Sequence, residues 1–132
     1  MKTIEQDIIK AVRNRKNLLT GNASGSAYAQ AVHLTGYRDS LEWDRDKKCF
    51  RYKLWGHLIF RKTGLHTVTV SDCGYRTHTT ASRLNALFAA LDIPMTVMFR
   101  NGYTYWCKDG EIYTMSSFSF IHAGEYDVTI VC

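Results

Sequence analysis

Residues 49–91 read CFRYKLWGHLIFRKTGLHTVTVSDCGYRTHTTASRLNALFAAL, and the fold class turns on a change of period inside them. From 49 to 55 the side chains alternate strictly. Phe50, Tyr52 and Leu54 face one way and Arg51, Lys53 and Trp55 the other, the period of a strand resting on a core. Gly56 interrupts, residues 57–61 resume as a strand, Lys62-Thr63-Gly64 turns, and residues 65–71 make a third strand. Past Asp72-Cys73-Gly74 the period lengthens: Leu84, Leu87, Phe88 and Leu91 form a helical stripe that Pro94 ends. A cap at Thr79 or Thr80 predicts a helix over about 80–91.

Working outward, Ile4, Ile8, Ala11 and Val12 form one stripe of a helix over 3–16. Thr3 can cap it, and acidic residues stand near its start and basic ones near its end, as the helix dipole favours. Residues 21–25, GNASG, break the chain and make the best hinge, so this helix is expected to pack loosely or to serve a partner. Residues 26–35 alternate as a strand, and the charged run 38–48 reads as a loop or solvated edge. After Pro94 come strands at 95–100 and 103–107, joined by Asn101-Gly102, a strong hairpin signal. Further strands follow at 111–115, 118–122 and 126–132. Tight turns between most of them predict an α+β domain spanning 1–132, with a mostly antiparallel sheet of about six to eight strands and two helices.

At 132 residues the chain can bury a core without disulfides or metals. Cys49, Cys73, Cys107 and Cys132 include no CxxC pair, so they are expected to be free and reduced. Gln6, Asp7 and Lys10 interrupt the apolar residues near the N-terminus, and no long apolar run follows. The expectation is therefore no signal peptide, no transmembrane segment and a place in the cytoplasm where the chain is made. Net charge is +5, which excludes an acidic DNA mimic, and it is uneven along the chain. Fifteen basic and seven acidic residues lie up to Arg83, against two basic and five acidic after it. Such segregation points to a basic face if the fold preserves it.

Residues 54–91 also resemble a pattern in small proteins of tailed bacteriophages. The shared features are Trp55-Gly56, Val68-Thr69-Val70, Gly74-Tyr75, then Thr77-His78-Thr79-Thr80 and Arg83-Leu84-Asn85. The resemblance implies a phage origin and a role inside a bacterial host during infection. It carries no catalytic residue with it.

Four sets of residues could form a site. Arg76, Thr77, His78, Thr79 and Thr80, with Arg83, could bind an anion at a helix N-terminus, although one capping threonine and ordinary strand residues explain them more simply. Lys47, Lys48, Arg51 and Lys53, interleaved with Phe50, Tyr52 and Trp55, suit single-stranded nucleic acid. Strand alternation, however, sends Phe50 and Tyr52 to the core and leaves only a basic stripe. His57, His66, His78, Cys49 and Cys73 are metal- or thiol-competent, yet nothing brings three of them together, and the hairpin register does not assure that His57 and His66 meet. Tyr103, Tyr105, Trp106 and Tyr113 are many aromatics for two short strands and would anchor a protein interface if one face is exposed.

No paired carboxylates, phosphate loop, dinucleotide fingerprint or triad is recognisable. The expected function is that of a small non-enzymatic phage accessory protein that binds a host macromolecule, such as a defence or nucleic-acid enzyme, and modulates or inhibits it, with a host or phage protein as the expected partner. Its binding face would comprise Arg38, Lys47, Lys48, Arg51, Lys53, Arg76 and Arg83. The alternatives are direct nucleic-acid binding through the basic stripe and an enzyme using Cys73 or a histidine. No cofactor, metal or membrane partner is expected, and homodimerisation through sheet edges is possible on general grounds.

Overall fold

In the computed structural model, residues 3–22, 37–74, 76–114 and 119–131 are described. The strand expected at 26–35, hinge residues 23–25, the Thr3 side chain, Tyr75 and Cys132 lie outside the described residues.

The chain runs α1 (Thr3–Arg13), β1 (Leu18–Asn22), β2 (Tyr37–Trp43), β3 (Phe50–Leu54), β4 (His57–Lys62), β5 (Thr67–Val70), α2 (His78–Ala90), β6 (Thr96–Arg100), β7 (Tyr103–Lys108), β8 (Glu111–Thr114), β9 (Ser119–Ala123) and β10 (Tyr126–Ile130). Seven strands form one sheet in the order β1-β2-β3-β4-β5-β10-β9, and β6-β7-β8 form a second. The α+β class holds. Pairing is antiparallel except at one junction, where β10 lies parallel to β5 with Val128 beside Val68 and Ile130 beside Val70. A parallel pair needs a long crossover, and everything from α2 to β9 supplies it.

Strand alternation places Phe50, Tyr52 and Leu54 in the core, as the period requires. Trp55 and Gly56 both take positive φ, 52° and 79°, so β3 returns into β4 through a two-residue turn. Asn101-Gly102 and Asp109-Gly110 repeat that geometry between β6, β7 and β8.

Three expectations are corrected. Residues 38–48 are not all loop, because β2 occupies Tyr37–Trp43 and turns Asp39, Leu41 and Trp43 inward. The buried Asp39 disguises the alternation. Gly21 and Asn22 do not open a hinge but end β1, where Asn22 pairs with Tyr37. Glycine is needed there because a Cβ on Gly21 would lie 2.9 Å from the Arg38 Cβ. Nor does α1 pack loosely. It ends at Arg13 rather than 16, buries Ile8 and Val12 against the core, and is tied to α2 at both ends. The Ser82 hydroxyl donates to Glu5 at 2.9 Å, and the Arg13 guanidinium donates to the Ala89 and Ala90 carbonyls.

The cap of α2 is Thr77, not Thr79 or Thr80. Its extended backbone, φ −126°, lets its hydroxyl accept from the Thr80 N–H at 3.2 Å. Leu84, Leu87 and Phe88 are fully buried against the large sheet.

Candidate functional site

The small sheet has two unlike faces. Val97, Thr104 and Trp106 point inward and are buried, with Phe99 and Tyr113 half-buried on the same side. Opposite them, Met98 pairs with Tyr105, Arg100 with Tyr103, and Cys107 with Ile112 across the strands. On that outer face Met98 is 45%, Tyr103 57% and Ile112 62% exposed, an apolar surface presented to solvent by three short strands. Of the four aromatics singled out in the sequence, Tyr103 and Tyr105 thus lie on the outer face, while Trp106 and Tyr113 belong to the inner one. Hydrogen bonding of Tyr113 to the Glu111 carboxylate raises the phenol's pKa.

The two edges of this sheet also differ. At β6 the Asn85 side chain behaves as a strand segment: its amide donates to the Val97 carbonyl at 2.8 Å and its oxygen accepts the Val97 N–H at 2.6 Å. That edge is closed by α2. At β8, no described strand pairs on the far side. An edge that no described strand covers, beside an apolar face, is a surface that a further polypeptide can extend.

The seven basic residues expected on one face do not converge. Arg83 leaves the set altogether: it is 4% exposed and its guanidinium holds Asp39, Nε to Oδ1 at 2.8 Å and Nη2 to Oδ2 at 3.3 Å. Arg38 donates to the same carboxylate at 2.6 Å, and Tyr52 Oη donates to it at 2.6 Å. Burial works against ionisation of Asp39, but the hydrogen bonds from Arg83, Tyr52 and Arg38 and the Arg83 charge outweigh it, so its pKa falls below the ordinary value. Burial, followed by the Asp39 charge, raises that of Tyr52. Arg51 pairs with Glu42 on the outer face of the large sheet, next to Lys53 and Arg61. Lys47 and Lys48 stand on the β2–β3 turn, at the opposite end of the molecule from Arg76.

The start of α2 is satisfied by its own chain. Arg76 approaches Asp72 at 3.9 Å, donates to the Gly102 carbonyl at 3.3 Å and lies over the Tyr103 ring. Thr77 and Thr80 bond to each other, Thr79 is exposed, and His78 packs edge-on against Phe99. Asp72 already provides a carboxylate there, bonded to Thr104 and to the Gly74 N–H.

Among the described residues no three His, Cys, Asp or Glu side chains gather as a metal site. His57 and His66 lie at opposite ends of the β4–β5 hairpin in its regular register, with no slip involved. Cys73 directs its thiol to the Leu58 carbonyl at 2.9 Å, and burial raises its pKa, keeping it protonated. No described helix is long and apolar enough to cross a membrane.

Neither the curated proteins nor the solved structures contain a match to this chain. The sequence pattern of one phage family, described as Kyanoviridae Gp96 protein, matches residues 1–126, well beyond the 54–91 stretch in which a phage resemblance is visible by eye. With nearly its whole length matched, the chain belongs to the Kyanoviridae Gp96 protein family.

Proposed function

We propose that this phage protein is a small non-enzymatic accessory protein that binds a host protein, and thereby modulates or inhibits it, through the outer face and the β8 edge of the β6–β8 sheet. The observation that supports this reading is the exposure of Met98, Tyr103 and Ile112 on one face of strands whose other face is core. Aromatic and methionine side chains give large contact area for little entropy, which is why they anchor protein interfaces. Affinity capture from infected-cell lysate tests it, comparing the natural chain with a Tyr103→Asp/Ile112→Asp variant whose fold is checked by circular dichroism. One host protein enriched by the natural chain and lost with the variant is the expected result. Equal capture by both, or none by either, removes the reading.

Direct nucleic-acid binding is the second reading. It draws on Lys53 and Arg61, which stand with Arg51 on the outer face of β3 and β4 and make none of the described ion pairs. It predicts binding that collapses as salt rises, because each neutralised phosphate releases counterions. An interface built on the outer face of the small sheet responds weakly to salt.

A further inference from the structure

A cavity of about 590 Å³ opens where the C-terminal ends of α1 and α2 meet the β2–β3 and β4–β5 turns. That volume is typical of small-molecule sites. Its wall is strongly cationic: Arg13, Arg15, Lys47, Lys48 and Lys62 line it, with Asp46 the one carboxylate among the lining residues. Arg13 is engaged, because it donates to the Ala89 and Ala90 carbonyls and pairs with Asp92, and so neutralises the negative end of α2. Lys62 is 8% exposed and spends two of its three donors on the Lys48 and Gly64 carbonyls, at 2.9 and 2.7 Å. Arg15, Lys47 and Lys48 make no ion pair among the described residues.

Two of these cations occupy backbone positions where glycine is the easier residue. Arg15, with φ 52°, terminates α1: its N–H donates to the Val12 carbonyl and the next N–H, that of Lys16, to the Ala11 carbonyl. This left-handed position is usually filled by glycine. Lys47, with φ 59°, closes the β2–β3 turn through its N–H to the Asp44 carbonyl. Both sites carry a long cation where backbone energetics favour no side chain at all. Both cations line the same cavity.

The remainder of the wall is apolar and aromatic. Leu65, 77% exposed, lines it with Leu91, Tyr126 and the largely buried Trp43. We propose that the cavity binds a small organic phosphate with a flat apolar body, of mononucleotide size. Arg15, Lys47 and Lys48 take the phosphate, and Leu65, Leu91 and Tyr126 take the body. A concave cluster of unpaired cations suits one compact, doubly charged group better than an extended backbone, and the adjoining apolar wall distinguishes an organic phosphate from the free ion. The site is separate from the outer face of the small sheet, and either assignment can fail without the other.

Calorimetry with AMP, adenosine, inorganic phosphate and a single-stranded oligonucleotide tests the proposal. It is paired with mass-spectrometric rates of thiol alkylation at Cys49, which lines the cavity, and at Cys107, which does not. AMP is expected to bind, with adenosine and inorganic phosphate each weaker by roughly tenfold or more. AMP should slow alkylation of Cys49 and leave Cys107 unchanged. Arg15→Gly/Lys47→Gly suits both backbone positions, keeps the fold, and should weaken AMP by roughly tenfold or more. Absence of AMP binding at millimolar concentration overturns the proposal. So does equal binding of adenosine or of inorganic phosphate, an unchanged double variant, unprotected Cys49, or binding of the oligonucleotide alone.

Discussion

Arg83 on α2 and Asp39 on β2, 44 positions apart, meet in the core through two hydrogen bonds of 2.8 and 3.3 Å. Tyr52 and Arg38 complete the carboxylate's shell, and Ser82, bonded to both Arg83 and Glu5, carries the network on to α1. Four elements, α1, β2, β3 and α2, are thereby linked around one buried negative charge.

Arg83→Ala should therefore be severe. It strands a buried carboxylate, and such losses cost about 3–5 kcal/mol. Tyr52→Phe removes a single hydrogen bond to a charged acceptor and should cost about 1.5–3 kcal/mol. Urea unfolding of both variants checks the order. A milder Arg83→Ala than Tyr52→Phe would show that Asp39 is not held as described.

The same cluster sets the response to pH. The folded pKa of Asp39 lies below its ordinary value of 3.8, so its contribution is present above that value and is lost as pH falls through the folded one. Tyr52 has the opposite sign. Its folded pKa lies above the ordinary 10.0, so the unfolded chain ionises first and stability declines as pH rises past 10.0. Thermal unfolding should show Tyr52→Phe losing part of that alkaline decline while keeping the acid one. Identical alkaline limbs in the two proteins would contradict it.

Gly21 and Gly74 both take positive φ, 73° and 77°, but only Gly21 faces a neighbour. Alanine at either position bears the backbone strain of about 1–2 kcal/mol. At Gly21 it must also displace Arg38, the residue that reaches Asp39. Gly21→Ala should be the more destabilising of the two in parallel denaturation curves.

Asn85→Leu should uncouple α2 from β6. The Val97 N–H and C=O lose both partners, at about 1–3 kcal/mol for each buried group left unpaired. It also frees the closed edge of the small sheet, so light scattering should report stronger concentration-dependent association than the natural chain shows in the same measurement. Stability equal to the natural chain's would mean the two bonds are immaterial.

Where local pattern decides structure, the sequence was readable: the alternation at 50–54, the stripe of α2 and the turn at Asn101-Gly102. What escaped it were features that exist only through distant partners. Asp39 made a core strand look like a charged loop, because its compensation by Arg83 is not local. Gly21 resembled a hinge until Arg38 stood beside it. Thr77, Thr79 and Thr80 are chemically equivalent caps, and only the extended backbone at Thr77 selects one. The site was half legible. The aromatics of β7 were visible, and their division between faces follows from period two. The dispersal of the basic residues, and the meeting of Lys47 and Lys48 with Arg15 and Lys62, depends on how both helices end at the same side of the sheet.

The parallel junction of β5 with β10 has a consequence for how the protein is made. Thr67 acquires its neighbour Asp127 only after the whole of α2, the small sheet and β9 have been translated. At ordinary elongation speeds that interval is roughly 3–12 s. Throughout it the ribosome holds a nascent chain whose largest sheet ends in the bare edge of β5, with Val68 and Val70 half covered. Completion of the sheet awaits β10, so a ribosome stalled before Tyr126 leaves a sticky fragment that the host's chaperones would have to shield.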